Sequence, residues 1–498
     1  MATQVSAVGS FDTVVIGGGI SGLYSALLAV DSGQKNIHVF EASQRLGGKI
    51  VSQTMPDGQV LNMGAEFIDN EHARIVALCK RLHIPLHPCI DQKKALFQGP
   101  DGRVVPDFIE QYAPIARQVI RDREAIEAAP DGPYAQQMKS ISLADYLAHL
   151  QATVPVNDDR SFIGKVWDFC TFRPTRVSDE IIHIAANSFT GEAGQPVQNI
   201  TAAQFIAETS PEVGQFLGCG ESSRVEGGTQ AMIDALHKHL EAHGVKFHFG
   251  EKLEAATKGA HGGVDLTLTS AKGTQQIHSK TAVIGLPTYA LAHVRGLETF
   301  GLPPQASQML ADVQYTNNMK ITIPIKSGVN VPLLNLFQPH GVESWSPAPG
   351  YLTFLCTQHD GLTPPQLIRQ CTEDYAKAYG QGKTAADIFD IGPGKVALAN
   401  PGKAGCWSTA HPKNAVANEQ LFAAMESLAD QGLGIVGTYM PLEGSVGFME
   451  CGAASAERAH ARLPVEAQAK QSPTKHQDII RAQRAKLAND NQVGIGAA

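Results

Sequence analysis

The chain has 498 residues, of which 43% are apolar and 18% charged, and its formal net charge is −8. This composition is typical of a globular protein of two or three domains with a large core. The negative balance excludes the broad basic surface of a nucleic-acid-binding protein. The 8 cysteines are scattered and form no C-x-x-C pair, which favours free thiols in a reducing compartment over a disulfide framework or a zinc site.

The two ends of the chain carry no targeting or membrane signal that we recognise. The first residues lack a basic segment followed by an apolar one, and no run reaches the ~18–20 apolar residues of a membrane span. We expect a cytoplasmic protein, with export in complex with a partner left open. Residues 1–10 are expected to form a flexible N-terminus, and residues 464–498 a polar tail.

In chain order, the first predicted elements are a buried strand, "DTVVI", a glycine turn and a helix. A second strand, "NIHVFEA", ends in an acid, and "RVEGGTQAMIDALHKHL" later predicts another turn and helix. A further buried strand is "KTAVIGLP". Between these pieces lie helix-like segments at 106–150 and 181–208 and the strands "NNMKITIPI" and "YLTFLC". The pattern predicts an α/β fold of two domains.

The nucleotide-type elements are separated along the chain, so we expect one of the two domains to be discontinuous. Its pieces are residues 11–85, 222–300 and 396–463. The second domain is then made from the intervening residues 86–221 and 301–395.

A dinucleotide-binding pattern follows the first strand. Gly17, Gly19 and Gly22 form G-x-G-x-x-G, with Ser21 in the first turn of the helix. The first glycine permits a tight turn, the second lets the backbone approach a pyrophosphate, and the third allows close packing of helix on strand. Glu41 ends the second strand, where a carboxylate can accept hydrogen bonds from ribose hydroxyls.

The loop after Glu41 reads "ASQRLGGKI" and is basic and rich in glycine. Arg45, Gly48 and Lys49 extend the phosphate-binding loop toward a flavin, although a solvated basic loop is the alternative. The whole run, E-A-S-x-R-x-G-G-K, resembles the FAD-binding flavoprotein amine oxidases, the monoamine oxidase family. The resemblance implies a Rossmann-like FAD-binding domain and an inserted substrate-binding domain of mixed sheet and helices.

Several later segments resemble the same family in the same order. "LNMGAEFID" resembles the segment that passes along the flavin ring, which implies cofactor contacts for Gly64, Ala65, Glu66 and Phe67. The strand that contains Leu253 resembles the one whose backbone meets the adenine. The closing region of the chain carries the rest of the resemblance.

In the closing region, "GSVGFMECGAASAERAHARL" resembles the family's G-Y-M-E-G-A segment, so the resemblance implies that Met449 faces the flavin and Phe448 the substrate. Just before it the chain reads "VGTY", which aligns Thr438 with a cofactor-binding position. Tyr439 replaces the family's usual carboxylate, and Phe448 replaces its commoner tyrosine. Lys320 in "NNMKITIPI" matches the family's flavin-facing lysine, with a strand lysine in a salt bridge as the alternative.

The stretch "GCWS" resembles "GCYT" of the mitochondrial monoamine oxidases. That resemblance implies that Trp407 and Phe448 are two walls of an aromatic cage, whereas plain core packing is the alternative. For Cys406, the resemblance implies a thioether bond to the flavin, and a buried free thiol is the alternative. Both alternatives for Cys406 stay open at this point.

The resemblance implies an FAD-dependent oxidase or dehydrogenase that transfers a hydride from an amine and releases an imine for hydrolysis. Lys320 would hold a water against the flavin, and Trp407 and Phe448 would hold the substrate. Dioxygen and a cytochrome are both open as electron acceptor. A homodimer is common in the family, and no metal or nucleic acid is expected.

The charged residues of one segment narrow the class of substrate. Glu66 and Asp69 lie in a segment where amino acid oxidases of this superfamily have an arginine, so a carboxylate-free amine is favoured. Glu66 either lines the pocket or hydrogen-bonds backbone, and Asp69 is expected to cap a helix that begins near Glu71. The chain also resembles the bacterial amine oxidases of nicotine breakdown, which implies pseudooxynicotine as substrate. The alternatives are a diamine or polyamine oxidase, an L-amino acid oxidase, and a flavin-binding scaffold without turnover.

Overall fold

The structure is a computed structural model of the full chain. It describes residues 6–91, 94–155, 176–210, 212–217, 221–331, 336–357, 361–379, 382–392, 394–399, 408–442 and 447–464.

The strands in the described residues are β1 (Ser6–Ile16), β2 (Ile37–Glu41), β3 (Ser52–Thr54), β4 (Val60–Asn62), β5 (Ile68–Asp69), β6 (Leu86–Asp91), β7 (Leu96–Phe97), β8 (Glu221–Val225), β9 (Lys246–Phe249), β10 (Lys252–Lys258), β11 (Val264–Ser270), β12 (Gly273–Ile284), β13 (Met319–Pro324), β14 (Leu336–Gln338), β15 (Val342–Trp345), β16 (Tyr351–Cys356), β17 (Ala397–Ala399) and β18 (Leu433–Ile435).

The α-helices in the described residues are α1 (Ile20–Asp31), α2 (Ala73–Arg81), α3 (Phe108–Ala128), α4 (Pro133–Ser140), α5 (Leu143–Thr153), α6 (Asp179–Ala193), α7 (Ala202–Glu208), α8 (Thr229–Ala242), α9 (Thr288–Leu291), α10 (Ala306–Ala311), α11 (Pro364–Tyr379), α12 (Ala385–Ile388), α13 (Ala415–Ser427) and α14 (Met449–Arg462).

The chain divides into two compact units, each assembled from separated segments. The first contains residues 1–87, 223–313 and 417–498, and the second contains residues 88–222 and 314–416. The last boundary falls at 417, later than the 396 expected from sequence. The reason is that β17 pairs with β13, which belongs to the sheet of the second unit.

The first unit is built on a parallel sheet. Strands β18, β12, β1, β2 and β9 are neighbours in that order and run parallel, and β11 and β10 extend the sheet from β12 in antiparallel fashion. Helices α1, α8 and α14 bury their apolar faces in one core with the parallel strands. The predicted α/β class and the Rossmann-like arrangement are thereby confirmed.

The second unit is built on a six-stranded sheet of order β17-β13-β16-β15-β14-β7. One face packs against α11 through alternate apolar residues such as Ile321 and Phe354. The other face carries Phe97 and Phe337, which pack among helices α3, α5, α6 and α7. Alternation along each strand therefore divides this unit into two cores.

The long helical segments expected from sequence are interrupted. Segment 106–150 breaks before α4, which begins with Pro133 at its first position, and again at Ser142, whose hydroxyl caps α5. Segment 181–208 breaks at Gly194, whose φ of 69° ends α6 in the left-handed region. No helix among the described residues is long and apolar enough to cross a membrane.

A stack of aromatic and imidazole rings covers part of the first sheet. His38 Nδ1 lies 2.8 Å from His248 Nε2, and the rings of Phe40 and His248 stack with centroids 4.4 Å apart. Burial, followed by the charges of His248 and Lys246, lowers the pKa of His38 from 6.5 to about 4. The folded protein therefore holds His38 neutral at pH values where the unfolded chain is already protonated.

This difference predicts a loss of stability in mild acid. The unfolded state binds a proton at His38 near pH 6.5 and the folded state near pH 4, so the stabilisation is complete above 6.5 and is lost as the pH falls toward 4. In His38→Gln we expect a shallower decline of the melting temperature across this range, measured by differential scanning fluorimetry. His261→Gln, at an exposed turn, is the matched control. A wild-type slope in His38→Gln contradicts the assignment.

Candidate functional site

The glycine pattern forms the turn between β1 and α1, and each glycine has its own steric role. Gly17 has a φ of 100°, and a Cβ there would lie 2.7 Å from the carbonyl oxygen of Gly285. A Cβ at Gly22 would lie 2.0 Å from the carbonyl oxygen of Gly17. A Cβ at Gly19 would meet nothing within 4 Å. Backbone atoms therefore fill the space beside Gly17 and Gly22, whereas the space beside Gly19 is empty. The amides of the helix N-terminus are presented at this empty space.

Glu41 ends β2 beside this turn. Its Oε2 accepts a hydrogen bond from the Gly18 amide at 2.7 Å, and its Oε1 accepts one from the Ser43 amide at 2.8 Å. Each carboxylate oxygen retains a second lone pair for a hydroxyl group. The amide of Glu251 donates to the Glu41 carbonyl, which brings the start of β10, two residues before Leu253, to the same loop.

The basic loop after Glu41 is held by its own arginine. Arg45 Nη1 donates to the carbonyl oxygens of Leu46 and Ile50, and Nη2 donates to that of Gly48. Lys49 is exposed at the loop surface. Arg45 therefore shapes the loop from within, while a direct contact of Arg45 or Lys49 with a cofactor stays a prediction.

The segment Gly64–Phe67 runs beside this loop. A Cβ at Gly64 would lie 1.9 Å from the Lys49 carbonyl oxygen, and the Ala65 amide donates to that oxygen at 3.3 Å. Only glycine permits this approach at position 64. The close contact fixes the path of the backbone that leads into Glu66 and Phe67.

Glu66 is buried and paired with an arginine from β8. Arg224 Nε donates to Glu66 Oε1 at 2.6 Å, and the guanidinium lies 5.1 Å from the centroid of the Phe67 ring. Arg224 compensates the negative charge of Glu66, a partner that the two sequence-based alternatives for Glu66, lining the pocket or hydrogen-bonding backbone, did not include. Arg224 Nη2 is buried without a hydrogen-bond partner among the described residues, so it remains a donor for a bound oxygen.

The start of α14 is fixed against α2 by a buried carboxylate. Glu450 accepts hydrogen bonds from the amides of Arg74 and Ile75 at 3.1 Å and from Arg74 Nη1 at 2.9 Å. These contacts cap the N-terminus of α2, which begins at Ala73. The expectation that Asp69 caps this helix is wrong, because the Glu450 carboxylate occupies the helix end.

Phe448 and Met449 stand at the first turn of α14. Phe448 is half-buried, and its ring centroid lies 5.4 Å from that of His72, at the N-terminus of α2. A Cβ at Gly452 would lie 2.5 Å from Ser21 Oγ. The first turns of α14 and α1 are thereby in contact, and two helix N-termini converge beside the glycine turn.

Thr438 and Tyr439 precede this helix. The Thr438 carbonyl accepts a hydrogen bond from the Gly447 amide at 2.7 Å. The ring of Tyr439 folds back over Gly437, where a Cβ would lie 2.2 Å from it, and packs near Phe422. The tyrosine that replaces the family's carboxylate is thus a buried packing residue.

In the second unit, Lys320 lies on β13 and is buried with 6% of its surface exposed. Its Nζ lies 5.3 Å from the ring centroid of Trp345, which β15 carries two strands away. The register places Thr322 and Thr353 on the same face, where their hydroxyls hydrogen-bond at 2.8 Å. The lysine side chain therefore crosses one strand to lie over the face of the Trp345 ring.

Glu343 is a buried acid that the sequence analysis missed. It pairs in register with Leu355, which also pairs with Lys320, so the three side chains project from one face of the sheet. Without the register, nothing in the sequence relates Glu343 to Lys320. His72, Arg224 and Glu450 were missed for the same reason, since each acts through a partner distant in sequence.

Two predicted site residues, Cys406 and Trp407, lie outside the described residues. The others fall into two groups. The predicted cofactor residues from Gly17 to Leu253, together with Thr438, Phe448 and Met449, belong to the first unit, and Lys320 belongs to the second.

The first unit meets the requirements of FAD on three counts. Gly19 leaves open space at a helix N-terminus for a pyrophosphate, Glu41 retains lone pairs for ribose hydroxyls, and Arg224 Nη2 is an unsatisfied buried donor beside the Gly64–Phe67 segment. All three features are expected where a dinucleotide with a carbonyl-rich ring binds.

Comparison with known proteins agrees with this geometry. The family model for flavin containing amine oxidoreductases matches residues 20–392. The chain belongs to this family. Among curated relatives, the putrescine oxidase of Kocuria rosea is 29% identical over 125 residues, which cover 25% of this chain and 26% of that protein. Amine oxidase B of Homo sapiens is 32% identical over 104 residues, or 21% of this chain and 19% of that protein.

These curated matches therefore span about a quarter or less of each relative's length. Solved structures extend the likeness to most of the fold. Putrescine oxidase in a complex with putrescine has a TM-score of 0.69 at 14% identity, and covers 92% of this chain and 99% of its own. Cyclohexylamine oxidase from Brevibacterium oxydans IH-35A has a TM-score of 0.69 at 16% identity, with 93% and 99% covered.

The glycine turn generates a paired prediction. Gly22→Ala should lower the free energy of unfolding by about 2–3 kcal/mol, because its Cβ meets backbone. Gly19→Ala should leave the melting temperature of the apoprotein unchanged and weaken FAD binding about tenfold, since its Cβ enters the open space. Chemical denaturation and a flavin fluorescence titration measure the two effects. Equal FAD affinity in Gly19→Ala and wild type would show that the pyrophosphate does not bind at this turn.

The carboxylate cap generates another prediction. Glu450→Gln should lower the free energy of unfolding by about 1–3 kcal/mol. The side-chain NH2 of glutamine cannot accept hydrogen bonds from the amides of α2, and the buried, charge-assisted hydrogen bond to Arg74 is lost. Glu457→Gln is the matched control, because Glu457 binds the same Arg74 but is more exposed and contacts no amide of α2. Urea denaturation that ranks the control as equally harmful contradicts the capping role.

Proposed function

We propose that the protein is an FAD-dependent enzyme that oxidises the C–N bond of a small amine. The observation that carries the proposal is the fit of the first unit to FAD, in a chain that belongs to the flavin-containing amine oxidoreductases. When bound, FAD supplies the acceptor for a hydride equivalent from the carbon beside the nitrogen. The protein's own contribution is binding, orientation and exclusion of water.

The side chains assigned to the substrate are Phe448 and Trp407, as walls of an aromatic slot. Their faces desolvate the amine and attract its partly positive nitrogen. Lys320 holds a water and passes a proton, a role that suits a buried lysine on a strand with a hydroxyl-lined face. The substrate imine is then hydrolysed to a carbonyl compound and a smaller amine.

We infer that the amine is pseudooxynicotine, which would give 3-succinoyl-semialdehyde-pyridine and methylamine in nicotine catabolism. The inference rests on the overall resemblance of the chain to nicotine-breakdown enzymes. A flat pyridyl ketone with a secondary methylamine tail also suits an aromatic slot. The negative charge of Glu66 does not disfavour binding of the uncharged pyridyl ring, because Arg224 compensates that charge.

A diamine oxidase is the second candidate. The putrescine oxidases among the similar proteins support this alternative. Glu66, which the sequence analysis offered for that role, is already paired with Arg224.

Anaerobic mixing tests the proposal and separates the candidates. Holoenzyme is mixed with pseudooxynicotine, putrescine, benzylamine or L-phenylalanine, and the visible flavin absorption is followed by stopped flow. Rapid bleaching by pseudooxynicotine alone supports both the chemistry and the substrate. Bleaching by putrescine or the amino acid keeps the chemistry and overturns the substrate. If no amine bleaches the flavin, the flavin-binding scaffold replaces the enzyme.

The role of Lys320 is tested by a conservative loss of charge. Lys320→Met should slow flavin reduction or reoxidation about a hundredfold while FAD stays bound, because the proton and the positive charge beside the ring are lost. Lys326→Met is the control, since Lys326 is exposed near the end of the same strand. Stopped-flow traces of Lys320→Met that match those of the control would withdraw Lys320 from the mechanism.

The state of the flavin and its oxidant are settled by two simple assays. After acid precipitation, flavin in the pellet supports the thioether to Cys406, and flavin in the supernatant supports a free thiol. Reoxidation of the reduced enzyme by dioxygen or by a cytochrome identifies the acceptor.

A further inference from the structure

Two cysteines of the second unit face each other in its core. Cys356 is the last residue of β16, and Cys371 lies in the middle of α11. Their sulfur atoms are 3.4 Å apart, and each residue has only 1% of its surface exposed. The proposed function uses neither thiol. The two residues are 15 positions apart in the chain, so no C-x-x-C spacing predicts that they meet.

Other contacts hold the strand and the helix that carry the two sulfur atoms. Phe354 shares the face of β16 with Cys356, and its ring meets that of Tyr375 edge to face, with centroids 6.1 Å apart. Tyr375 lies one turn after Cys371 on the same face of α11. Gln338 Nε2, from β14, donates to the carbonyl oxygen of Cys371 at 3.3 Å. Helix and strand are therefore fixed at the position that brings the two thiols together.

The separation of the sulfur atoms is close to that of a disulfide. Such a bond is ~2.05 Å long, so each sulfur has to move by about 0.7 Å, which a small rotation of each side chain supplies. The partners of Cys356 in register are Met319 and Val342, both apolar. Within the described part of the chain, no third histidine, cysteine or carboxylate joins the pair to make a metal site. The chemistry left to the two thiols is their joint oxidation.

We propose that Cys356 and Cys371 are a modification site, at which hydrogen peroxide converts the two thiols into a disulfide that ties α11 to β16. One sulfur attacks the peroxide, so that an S–O bond forms, the O–O bond breaks and water leaves. The second sulfur attacks this sulfenic acid, so that the S–S bond forms, the S–O bond breaks and a second water leaves. Each sulfur loses one electron, both peroxide oxygens are reduced, and the thiol protons leave in the water. If dioxygen accepts the electrons of the proposed reaction, the enzyme itself forms this oxidant.

The fold makes the oxidation slow. Both thiols are buried, which excludes bulky reagents but admits a small uncharged oxidant more readily. The hydrogen bond to Cys371, followed by burial, raises the pKa of the Cys356 thiol well above its ordinary value, and a protonated thiol is a poor nucleophile. Once one sulfur is oxidised, its partner is already in contact, so the second step is intramolecular. The site therefore responds to sustained exposure to peroxide and not to a brief pulse.

The test is a peptide map of the full-length protein after prolonged exposure to hydrogen peroxide. Trypsin cuts after Arg369, between the two cysteines, so the disulfide joins two peptides that are otherwise separate. After unfolding and alkylation of the remaining thiols, we expect the linked peptides in the mass spectrum and their separation on reduction. The half-buried Cys89 shows that the oxidant has acted on the protein. Oxidised Cys89 together with fully alkylated Cys356 and Cys371 would overturn the proposal.

Thermal unfolding measures what the bond does to the second unit. The disulfide closes 15 residues into a loop and restricts the unfolded chain, so the oxidised protein should melt about 5 °C above the reduced protein. Cys371→Ala should abolish this shift. Cys79→Ala should keep it, since Cys79 is equally buried but its sulfur neighbour, 3.6 Å away, is that of Met232. Linked peptides without a rise in melting temperature, or a shift that persists in Cys371→Ala, would show that the bond does not tie α11 to β16.

Discussion

The first turn of α1 rests directly on backbone at the end of β1, with no side chain between them. A Cβ at Gly22 would fall 2.0 Å from the Gly17 carbonyl oxygen, and one at Gly17 would fall 2.7 Å from that of Gly285 at the end of β12. Three chain segments therefore meet at van der Waals distance, which sets the position of the helix N-terminus over the parallel sheet. The open space at Gly19, the reach of Glu41 and the contact of α14 with α1 all depend on this approach.

A second constraint joins parts of the first unit that are far apart in sequence. Glu450 caps α2 from the first turn of α14, and Arg74 completes the charge balance of that cap. A buried carboxylate is tolerated because its oxygens face amides and a guanidinium. The same turn carries Phe448 and Met449, so a structural ion pair determines where the two proposed flavin-side and substrate-side residues lie.

The sequence predicted what is encoded locally. The glycine spacing, the strand before it and the acid after the second strand predicted the turn of Gly17, Gly19 and Gly22 and the position of Glu41 beside it, because these residues lie within one β-α-β unit. The approach of Gly17 to Gly285 at the end of β12 was not predicted, since those residues are distant in sequence. The family resemblance added Lys320 and the order of the segments. The helix breaks near Pro133 and Ser142 were missed although the sequence marks them, since residues 130–133 read P-D-G-P and a serine is a common helix cap. Partners that meet only after folding, such as Glu66 with Arg224, leave no periodic signal.

We propose that the first unit binds FAD at the Gly17–Gly22 turn. The most direct measurement is the amount of FAD bound by purified protein, by absorption of the native holoprotein and by titration of the flavin-free protein. We expect one FAD per chain, with binding weakened when the turn alone is altered at Gly19. Protein that carries no flavin and binds none when FAD is added would show that the first unit is not an FAD site.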